Sequence, residues 1–280
     1  MKTLRYYNLS HAGDALFDSI LLNRLTGHKI EYFMHPKYRE AVREWFAPHV
    51  TLTDYMPEGA EEIWITHTLH GCVNGMQKFF PGVRPHPSPH IYNQVYLDHF
   101  RAICQRAEIE CPFKSKEEIC HTQSDLNKPG RSYDWLVINS ECLSGQIPFW
   151  DEARLARIAR ALPGRVVTTH PVPGLICTRD VAPSLFNIGQ LAGRCRFVVG
   201  INTGPMIAAL TQRMLDRVEC FLVLDLLHGF DYRHKTFWTR TLDEFEASCL
   251  SLRKRVSAAS GLPERLPRRG VSASAVAAQQ

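Results

Sequence analysis

Short apolar runs alternate with amphipathic stretches along most of this 280-residue chain. The strand-like runs lie at 4–9, 29–34, 62–66, 134–139, 165–169, 197–201 and 221–225. Apolar residues recur at helical spacing at 15–25, 38–46, 91–107, 149–162, 184–193 and 242–256. Strands that alternate with helices in this way predict parallel sheets covered by helices, and therefore a doubly wound α/β fold. The aromatic face around Tyr92 and Phe100 is expected to lie in the core.

Two irregular stretches divide the chain. Residues 67–89 are rich in glycine and proline and predict a long loop, which in a compact domain usually has a function or is mobile. Residues 114–131 are polar and end in Lys-Pro-Gly-Arg, which predicts the connection between two domains. We therefore expect one domain at 1–130, a second at 131–258, and a disordered tail at 259–280, where apolar periodicity is missing.

The stretch 197–210 has the pattern of a buried strand that breaks at a polar turn and restarts as a helix. Asn202, Thr203 and Gly204 form the turn, and Pro205 suits the first helical position, where its missing N–H costs nothing. The free N–H groups at a helix start, together with the positive end of the helix dipole, attract phosphate. A plain helix cap at Asn202 or Thr203 explains the same residues.

A second unit of this type opens the chain. The run 4–9 is followed by the small polar loop 10–13, and Asp14 precedes apolar residues at helical spacing. Asp14 therefore lies beyond the carboxyl end of a strand, at the rim where open α/β sheets bind ligands, although it also suits a helix cap. Two such rims, about 190 residues apart, predict two domains that face one another across a cleft.

These two units resemble the signature segments of a known family. Residues 10–25 look like the glycine–aspartate segment that opens the heptosyltransferase-like glycosyltransferases of family 9, which have the GT-B fold. Residues 191–206 are similar to the family's segment that usually reads (D/N)TG(P/L) before a helix. The resemblance covers roughly residues 1–256. It implies two facing Rossmann-like domains, the acceptor held by the first and the nucleotide by the second.

The resemblance implies an inverting glycosyltransferase that moves a sugar from a nucleotide-diphosphate sugar to a saccharide or lipid-linked glycan in surface polysaccharide synthesis. Asp14 is then the base that takes the proton from the acceptor hydroxyl, and the dipoles of the second turn stabilise the departing phosphate. The predicted donor-binding residues are Asn202, Thr203, Gly204, Pro205, Ser140, Ser144, Gln146 and His170. The predicted acceptor-binding residues are His11, Gly13, His67 and His70. Asp18, one turn beyond Asp14, is expected to be structural and to face solvent or a neighbouring helix.

The chain departs from the family pattern in the loop 140–146. Family members commonly carry a lysine or arginine there on the donor diphosphate, whereas Ser140, Ser144 and Gln146 are neutral donors. A cation from Arg179, Arg233, His234 or Lys235 is the alternative. Asn202 stands where the family more often has aspartate.

Two further hypotheses remain open. The pair His170-Pro171 resembles the His-Pro pair of bacterial sialyltransferases, which favours a CMP-activated acid sugar such as sialic acid or Kdo as donor. An ordinary strand-end loop is the favoured explanation of this pair, because X-Pro marks turns in general. The last hypothesis is a non-catalytic protein that retains the fold and binds a nucleotide without transferring a sugar.

Composition narrows the class of protein. A formal charge of +5 is only mildly basic, so nucleic acid is not an expected partner. The nine cysteines include no C-x-x-C pair and predict reduced thiols rather than disulfides or a zinc site. His67, His70 and Cys72 have metal-like spacing, but spacing places no fourth ligand. The chain also has no Asp-x-Asp pair, so we expect neither a metal nor a cofactor.

The expected location is the cytoplasm. No run of 18 apolar residues occurs, and the first residues lead directly into a strand-like run. The arginines of the tail predict a weak peripheral contact with the anionic surface of the inner membrane.

Overall fold

The structure is a computed structural model that describes residues 2–63, 91–141, 150–225, 229–232 and 235–260, with side chains as far as Val256. The strands are β1 (Thr3–Asn8), β2 (Lys29–Met34), β3 (Val50–Thr53), β4 (Glu61–Glu62), β5 (Tyr133–Ile138), β6 (Val166–Thr168), β7 (Ile176–Cys177), β8 (Cys195–Ile201), β9 (Cys220–Leu224) and β10 (Thr236–Thr239). The helices are α1 (Ala12–Leu22), α2 (Pro36–Val42), α3 (Tyr92–Arg106), α4 (Glu152–Ala161), α5 (Thr178–Val181), α6 (Leu185–Ala192), α7 (Gly204–Ala209), α8 (Gln212–Arg217) and α9 (Leu242–Ser260).

The first sheet has the order β3-β2-β1-β4, and its described pairs are all parallel. Alternate residues of β1 and β2 are buried, and Leu4 lies opposite Ile30 in the register of the pair. Because strands β2 and β4 lie on opposite sides of β1, the order of the chain reverses there. The carboxyl end of β1 therefore faces the kind of crevice in which α/β sheets bind ligands.

The second sheet has the order β10-β9-β8-β5-β6-β7 and is also parallel. Its central strands β5, β8 and β9 are buried almost throughout, as expected for parallel strands covered on both faces. From β5 the chain adds β6 and β7 on one side, and then returns to add β8, β9 and β10 on the other side. This is the doubly wound order, and its reversal point lies between β5 and β8. The predicted α/β class with parallel sheets is confirmed, and the division into two facing domains at 1–130 and 131–258 stays a prediction.

A glycine allows β5 and β8 to meet at this reversal. Gly200 has a φ of 152°, and a Cβ atom built on it would lie 2.2 Å from the carbonyl oxygen of Ile138. Every other residue type would push the strands apart at the point where both of them end.

The core is continuous between the two sheets. One hydrophobic cluster contains residues of β1, β2, α1 and α3 together with residues of β5, β8, α6 and α7. A second cluster fills the other face of the second sheet against α4 and α9. None of the described helices is long and apolar enough to cross a membrane.

The stretch predicted to connect the domains packs into this core. The backbone N–H of His121 donates to the carbonyl of Leu210 (2.9 Å), and its carbonyl accepts the N–H of Gln212 (2.8 Å). The imidazole of His121 is 1% exposed and lies 4.2 Å from the ring of Trp45, measured between centroids. Burial lowers the pKa of His121 to about 3, because the core disfavours the charged imidazolium.

The chain ends differ from prediction in one respect. Helix α9 continues to Ser260, beyond the predicted end at Val256 and into the stretch predicted to be disordered. Residues 261–280 and the predicted loop residues His67 and His70 lie outside the described residues.

The burial of His121 predicts that acid destabilises the fold. Between pH 6.5 and about 3 the unfolded chain binds a proton that the folded chain does not bind. The contribution of His121 to the free energy of unfolding should therefore fall with decreasing pH, by at most about 1.4 kcal/mol per pH unit. Urea titrations of the wild type and His121→Leu, from about pH 7 to about pH 4, measure the slope. Equal slopes for the two proteins would contradict this account.

Candidate functional site

A cavity of about 330 Å³ lies where β1, β5 and β8 end. Residues that follow these three strands line it, together with side chains from α1, α2, α3, α6 and α7. The lining residues are His11, Ala12, Gly13, Asp14, Phe17, Tyr38, Tyr92, Tyr96, Ser140, Glu141, Leu185, Asn202, Thr203, Gly204, Pro205 and Ile207. The two strand–turn–helix units identified in the sequence therefore meet at one cavity.

The starts of α1 and α7 lie side by side at this cavity. A Cβ atom built on Gly13 would lie 3.8 Å from the Cα atom of Gly204 and 3.9 Å from Cγ1 of Ile207. This is ordinary van der Waals contact, so the two turns are packed against each other. The loop before Asp14 and the turn at 202–205 consequently form adjoining walls.

Asp14 is held by one of its two carboxylate oxygens. Its Oδ2 accepts hydrogen bonds from the hydroxyl of Ser10 (2.5 Å) and the backbone N–H of His11 (3.2 Å). Asp14 is therefore the third helical residue of a capping box whose N-cap is His11, and not the N-cap residue itself. Among the described residues, Oδ1 has no partner, and the side chain is 19% exposed. Capping therefore leaves one oxygen available to a molecule in the cavity.

Asp18 does not face solvent, and that part of the sequence prediction is wrong. Its carboxyl group is 1% exposed and accepts hydrogen bonds from the hydroxyl of Tyr32 (2.6 Å) and the side-chain amide of Asn8 (2.5 Å). The amide oxygen of Asn8 accepts the backbone N–H of Ser10 (2.8 Å). Burial raises the pKa of Asp18 well above its usual range, although the two hydrogen bonds act in the opposite direction. Asp18 thus has a structural role and supports the loop that holds Asp14.

The turn after β8 is tied to the neighbouring strand. The side-chain amide of Asn202 donates to the carboxylate of Asp225 (2.7 Å), and its backbone N–H donates to Leu224 (3.0 Å). Asn202 is 5% exposed, so its contribution to the cavity wall is small and its main contacts are structural.

Thr203 is the N-cap of α7, and its carbonyl accepts the N–H groups of Met206 and Ile207. Gly204 is the first residue of the helix, so its N–H has no acceptor within the helix, and Pro205 has no N–H. Helix α7 has only six residues, so its dipole is small. An anion at this turn would therefore be bound by the individual N–H groups of Thr203 and Gly204.

The described lining of the cavity carries negative charge. Its described lining contains two carboxylates, Asp14 and Glu141, and neither lysine nor arginine. Ser140 lines the cavity and donates to the hydroxyl of Thr169 (2.7 Å), whereas Ser144 and Gln146 lie outside the described residues. Sequence reasoning missed Glu141, whose only signal is its position directly after Ser140.

Two of the proposed replacement cations, Lys235 and Arg179, are not in this described lining. Lys235 donates to the carbonyl of Asp216 (2.9 Å) at the end of α8, and Arg179 is exposed on α5. Neither of them lines the cavity, and Arg233 and His234 lie outside the described residues.

Aromatic rings form one wall of the cavity. Phe17 stacks on Tyr96 with ring centroids 3.7 Å apart, and Tyr92 stacks on Phe230 at 5.2 Å. Tyr92 and Tyr96 are 6% and 2% exposed, as predicted for core residues, yet both also line the cavity. Tyr38, from α2, adds a partly exposed ring to the lining.

His170 is not part of this lining. Its Nε2 atom is 3.3 Å from a carboxylate oxygen of Glu152, and its ring meets that of Trp150 edge to face at 6.0 Å. Its backbone N–H donates to the side chain of Asn139 (2.8 Å). The structure thus brings together the predicted residues His11, Gly13, Asp14, Ser140, Asn202, Thr203, Gly204 and Pro205, but not His170.

Comparison with known proteins gives a structural likeness only. No protein-family model and no curated protein sequence matches the chain. The structure of E. coli ADP-heptose LPS heptosyltransferase II is similar over 92% of this chain and 98% of that one, with a TM-score of 0.53 and 12% identity. E. coli heptosyltransferase WaaC with ADP is similar over 95% of this chain and 100% of that one, with a TM-score of 0.50 and 11% identity. The chain therefore shares the fold of these enzymes.

The buried carboxyl of Asp18 predicts a large loss of stability when it is removed. Asp18→Ala leaves the Tyr32 hydroxyl and the Asn8 amide buried without an acceptor, so unfolding should need about 2–4 kcal/mol less free energy. Urea titration of Asp18→Ala, Tyr32→Phe and the double variant measures this. We expect Tyr32→Phe to cost less in the Asp18→Ala background than in the wild type. Fully additive losses would contradict the hydrogen-bond assignment.

Proposed function

We propose that this protein is an inverting glycosyltransferase that moves a sugar from a nucleotide-diphosphate sugar to a saccharide or lipid-linked glycan in surface polysaccharide synthesis. The observation that carries the proposal is the shared cavity, in which Asp14 and the turn at Thr203 and Gly204 form adjoining walls. The fold shared with two heptosyltransferases, one of them determined with ADP, supports it.

In the proposed reaction, the acceptor hydroxyl attacks the anomeric carbon opposite the bond to the nucleotide. A new glycosidic bond forms while the bond to the diphosphate oxygen breaks, and the nucleoside diphosphate leaves with the electron pair. Asp14 takes the proton of the attacking hydroxyl. Its Oδ2 atom is fixed by Ser10 and His11, so Oδ1 is the oxygen we assign to this proton.

On the donor side, we assign the N–H groups of Thr203 and Gly204 to the leaving phosphate. The hydroxyl of Ser140 is assigned there too, and donates to the phosphate by turning its proton away from Thr169. Fixed dipoles of this kind stabilise negative charge as it develops. Ser144 and Gln146 are proposed as further neutral donors of the same loop. Pro205 keeps the turn in place, and Asn202 supports it through Asp225.

On the acceptor side, the proposal includes His11 and Gly13 from the lining, together with His67 and His70. We assign the acceptor to the domain at 1–130 and the nucleotide sugar to the domain at 131–258. The protein is proposed to work in the cytoplasm, in weak peripheral contact with the inner membrane that holds a lipid-linked acceptor. No metal takes part in the proposed mechanism.

The CMP-sugar alternative receives no support from the site. It needs His170 at the donor phosphate, and His170 contacts Glu152 rather than lining the cavity that Asp14 lines. The non-catalytic alternative keeps the same cavity without turnover, so only a transfer assay distinguishes it.

The role of Asp14 predicts that Asp14→Asn loses transfer and keeps nucleotide affinity. Asparagine retains the shape and one acceptor oxygen but cannot take the proton, so turnover should fall roughly 100- to 10,000-fold. ADP release from ADP-heptose with a lipopolysaccharide-core acceptor measures transfer, and calorimetry with ADP measures affinity. Asp216→Asn, an exposed aspartate outside the cavity, is the matched control. Wild-type turnover in Asp14→Asn would rule out Asp14 as the base.

The role of the turn predicts that Gly204→Val weakens ADP binding without loss of stability. Among the described residues, no atom lies within 4 Å of a Cβ atom built on Gly204, so added bulk strains no neighbour and enters the cavity instead. We expect an affinity for ADP at least about tenfold lower and an unchanged melting temperature. Gly27→Val, at another glycine with open space, is the control and should bind ADP normally. Unchanged ADP affinity in Gly204→Val would show that the turn is only a helix cap.

A further inference from the structure

A second cavity, of about 430 Å³, lies at the opposite end of the second sheet. Its lining includes Tyr133 at the start of β5, Arg165 just before β6, and Cys195 at the start of β8. The candidate site is built where strands end, whereas this cavity is built where strands begin. Four arginines line it, namely Arg165, Arg194, Arg196 and Arg217.

Two of these arginines have buried donors without acceptors. The Nε and Nη2 atoms of Arg165 and the Nε atom of Arg194 are buried, and no described residue accepts a hydrogen bond from them. More than nine-tenths of buried polar groups in native proteins have a partner. Three unpaired guanidinium nitrogens on two residues that line one cavity therefore indicate that a hydrogen-bond acceptor binds beside them.

The nearby acidic residues do not neutralise the four arginines of this cavity. Asp134, the one carboxylate in the described lining, accepts the backbone N–H of Arg165 (2.8 Å) and lies 3.5 Å from the guanidinium of Arg196. Arg196 also pairs with Glu219 (2.7 Å). No described carboxylate pairs with Arg165, Arg194 or Arg217, so the cavity has an excess of positive charge.

Both guanidinium groups are positioned by contacts that leave these N–H groups unused. The guanidinium carbon of Arg165 lies 4.6 Å from the centroid of the Tyr133 ring. The side chain of Arg194 lies against the backbone of Gly130, where a Cβ atom would come within 1.6 Å of its Nη1 atom. The Tyr133 ring therefore positions the Arg165 guanidinium before any ligand arrives, and the backbone of Gly130 leaves room for the Arg194 guanidinium beside it.

We propose that this cavity, the arginine pocket, binds a phosphate group of a small anionic ligand. Guanidinium groups present paired N–H donors that match phosphate oxygens, and buried charge-assisted hydrogen bonds of this type are strong. The arginine pocket shares no lining residue with the cavity around Asp14. The proposal does not depend on the proposed transfer reaction.

Calorimetry of the full chain with inorganic phosphate and with pyrophosphate, at constant ionic strength, tests the proposal. We expect saturable binding by the wild type, and at least about tenfold weaker binding by Arg165→Gln and by Arg194→Gln. Arg160→Gln removes the same charge from an exposed position on α4 and should bind as the wild type does. Absence of phosphate binding, or equal binding by all four proteins, would overturn the proposal.

A variant that keeps every charge separates geometry from electrostatics. Gly130→Val displaces the guanidinium of Arg194, which is the flexible end of a side chain, so the fold should survive with weakened phosphate binding. Circular dichroism and the melting temperature without phosphate check that it is folded. Gly204→Val should retain the phosphate binding that Arg165→Gln and Arg194→Gln lose, because its change lies in the other cavity. Loss of binding in Gly204→Val but not in the arginine variants would place the phosphate at the candidate site and overturn the proposal.

The ligand's source is distinguished by sedimentation with phosphatidylcholine vesicles, with and without phosphatidic acid. Sedimentation that requires phosphatidic acid and is lost in Arg165→Gln identifies a lipid headgroup. Free phosphate binding without vesicle binding identifies a soluble phosphate ester, and both results support a phosphate site.

Discussion

The buried carboxyl group of Asp18 sets the geometry on which the candidate site depends. It accepts hydrogen bonds from Tyr32 of β2 and Asn8 of β1, and so fixes α1 against two strands at once. Asn8 in turn holds the backbone of Ser10, whose hydroxyl holds Asp14. Burying polar groups is costly unless they are paired, so each member of this chain restricts the next. The orientation of a partly exposed carboxylate is thereby determined in the core.

The cavities at the two ends of the second sheet differ in charge. At the carboxyl ends of β5 and β8, the described lining offers carboxylates, hydroxyls and backbone N–H groups, but no lysine or arginine. At the amino ends of the same strands, arginines predominate. An anion in the first cavity would thus be held by directional hydrogen bonds, which select for shape. An anion in the arginine pocket would be held mainly by charge, which tolerates different shapes.

Local patterns in the sequence were sufficient for the fold class and for the two turns. Strand and helix periods are short-range properties, and the turns at Asp14 and at 202–205 lie where an apolar run stops, which fixes them at a strand end. The environment of Asp18 was not predictable in this way. Its position one turn after Asp14 is typical of an exposed carboxylate, and its burial is explained by two donors from other elements, the hydroxyl of Tyr32 in β2 and the amide of Asn8 in β1.

The same limit applies to the loops. The polar stretch 114–131 has the composition of a connection, yet His121 is buried because Trp45 and the residues around Leu210 cover it. Glu141 lines the cavity and His170 does not, although both follow strand ends. The distance that a loop reaches depends on tertiary packing. The sequence therefore predicted which edge of the sheet holds the cavity, but not every residue that lines it. The contact of Gly13 with Gly204, about 190 residues apart, has a consequence for the order of folding. Contacts between distant parts of a chain form late, because the loop between them must close first. The cavity around Asp14 therefore forms only when the starts of α1 and α7 have met, and a ligand added during refolding can stabilise only states in which they have met.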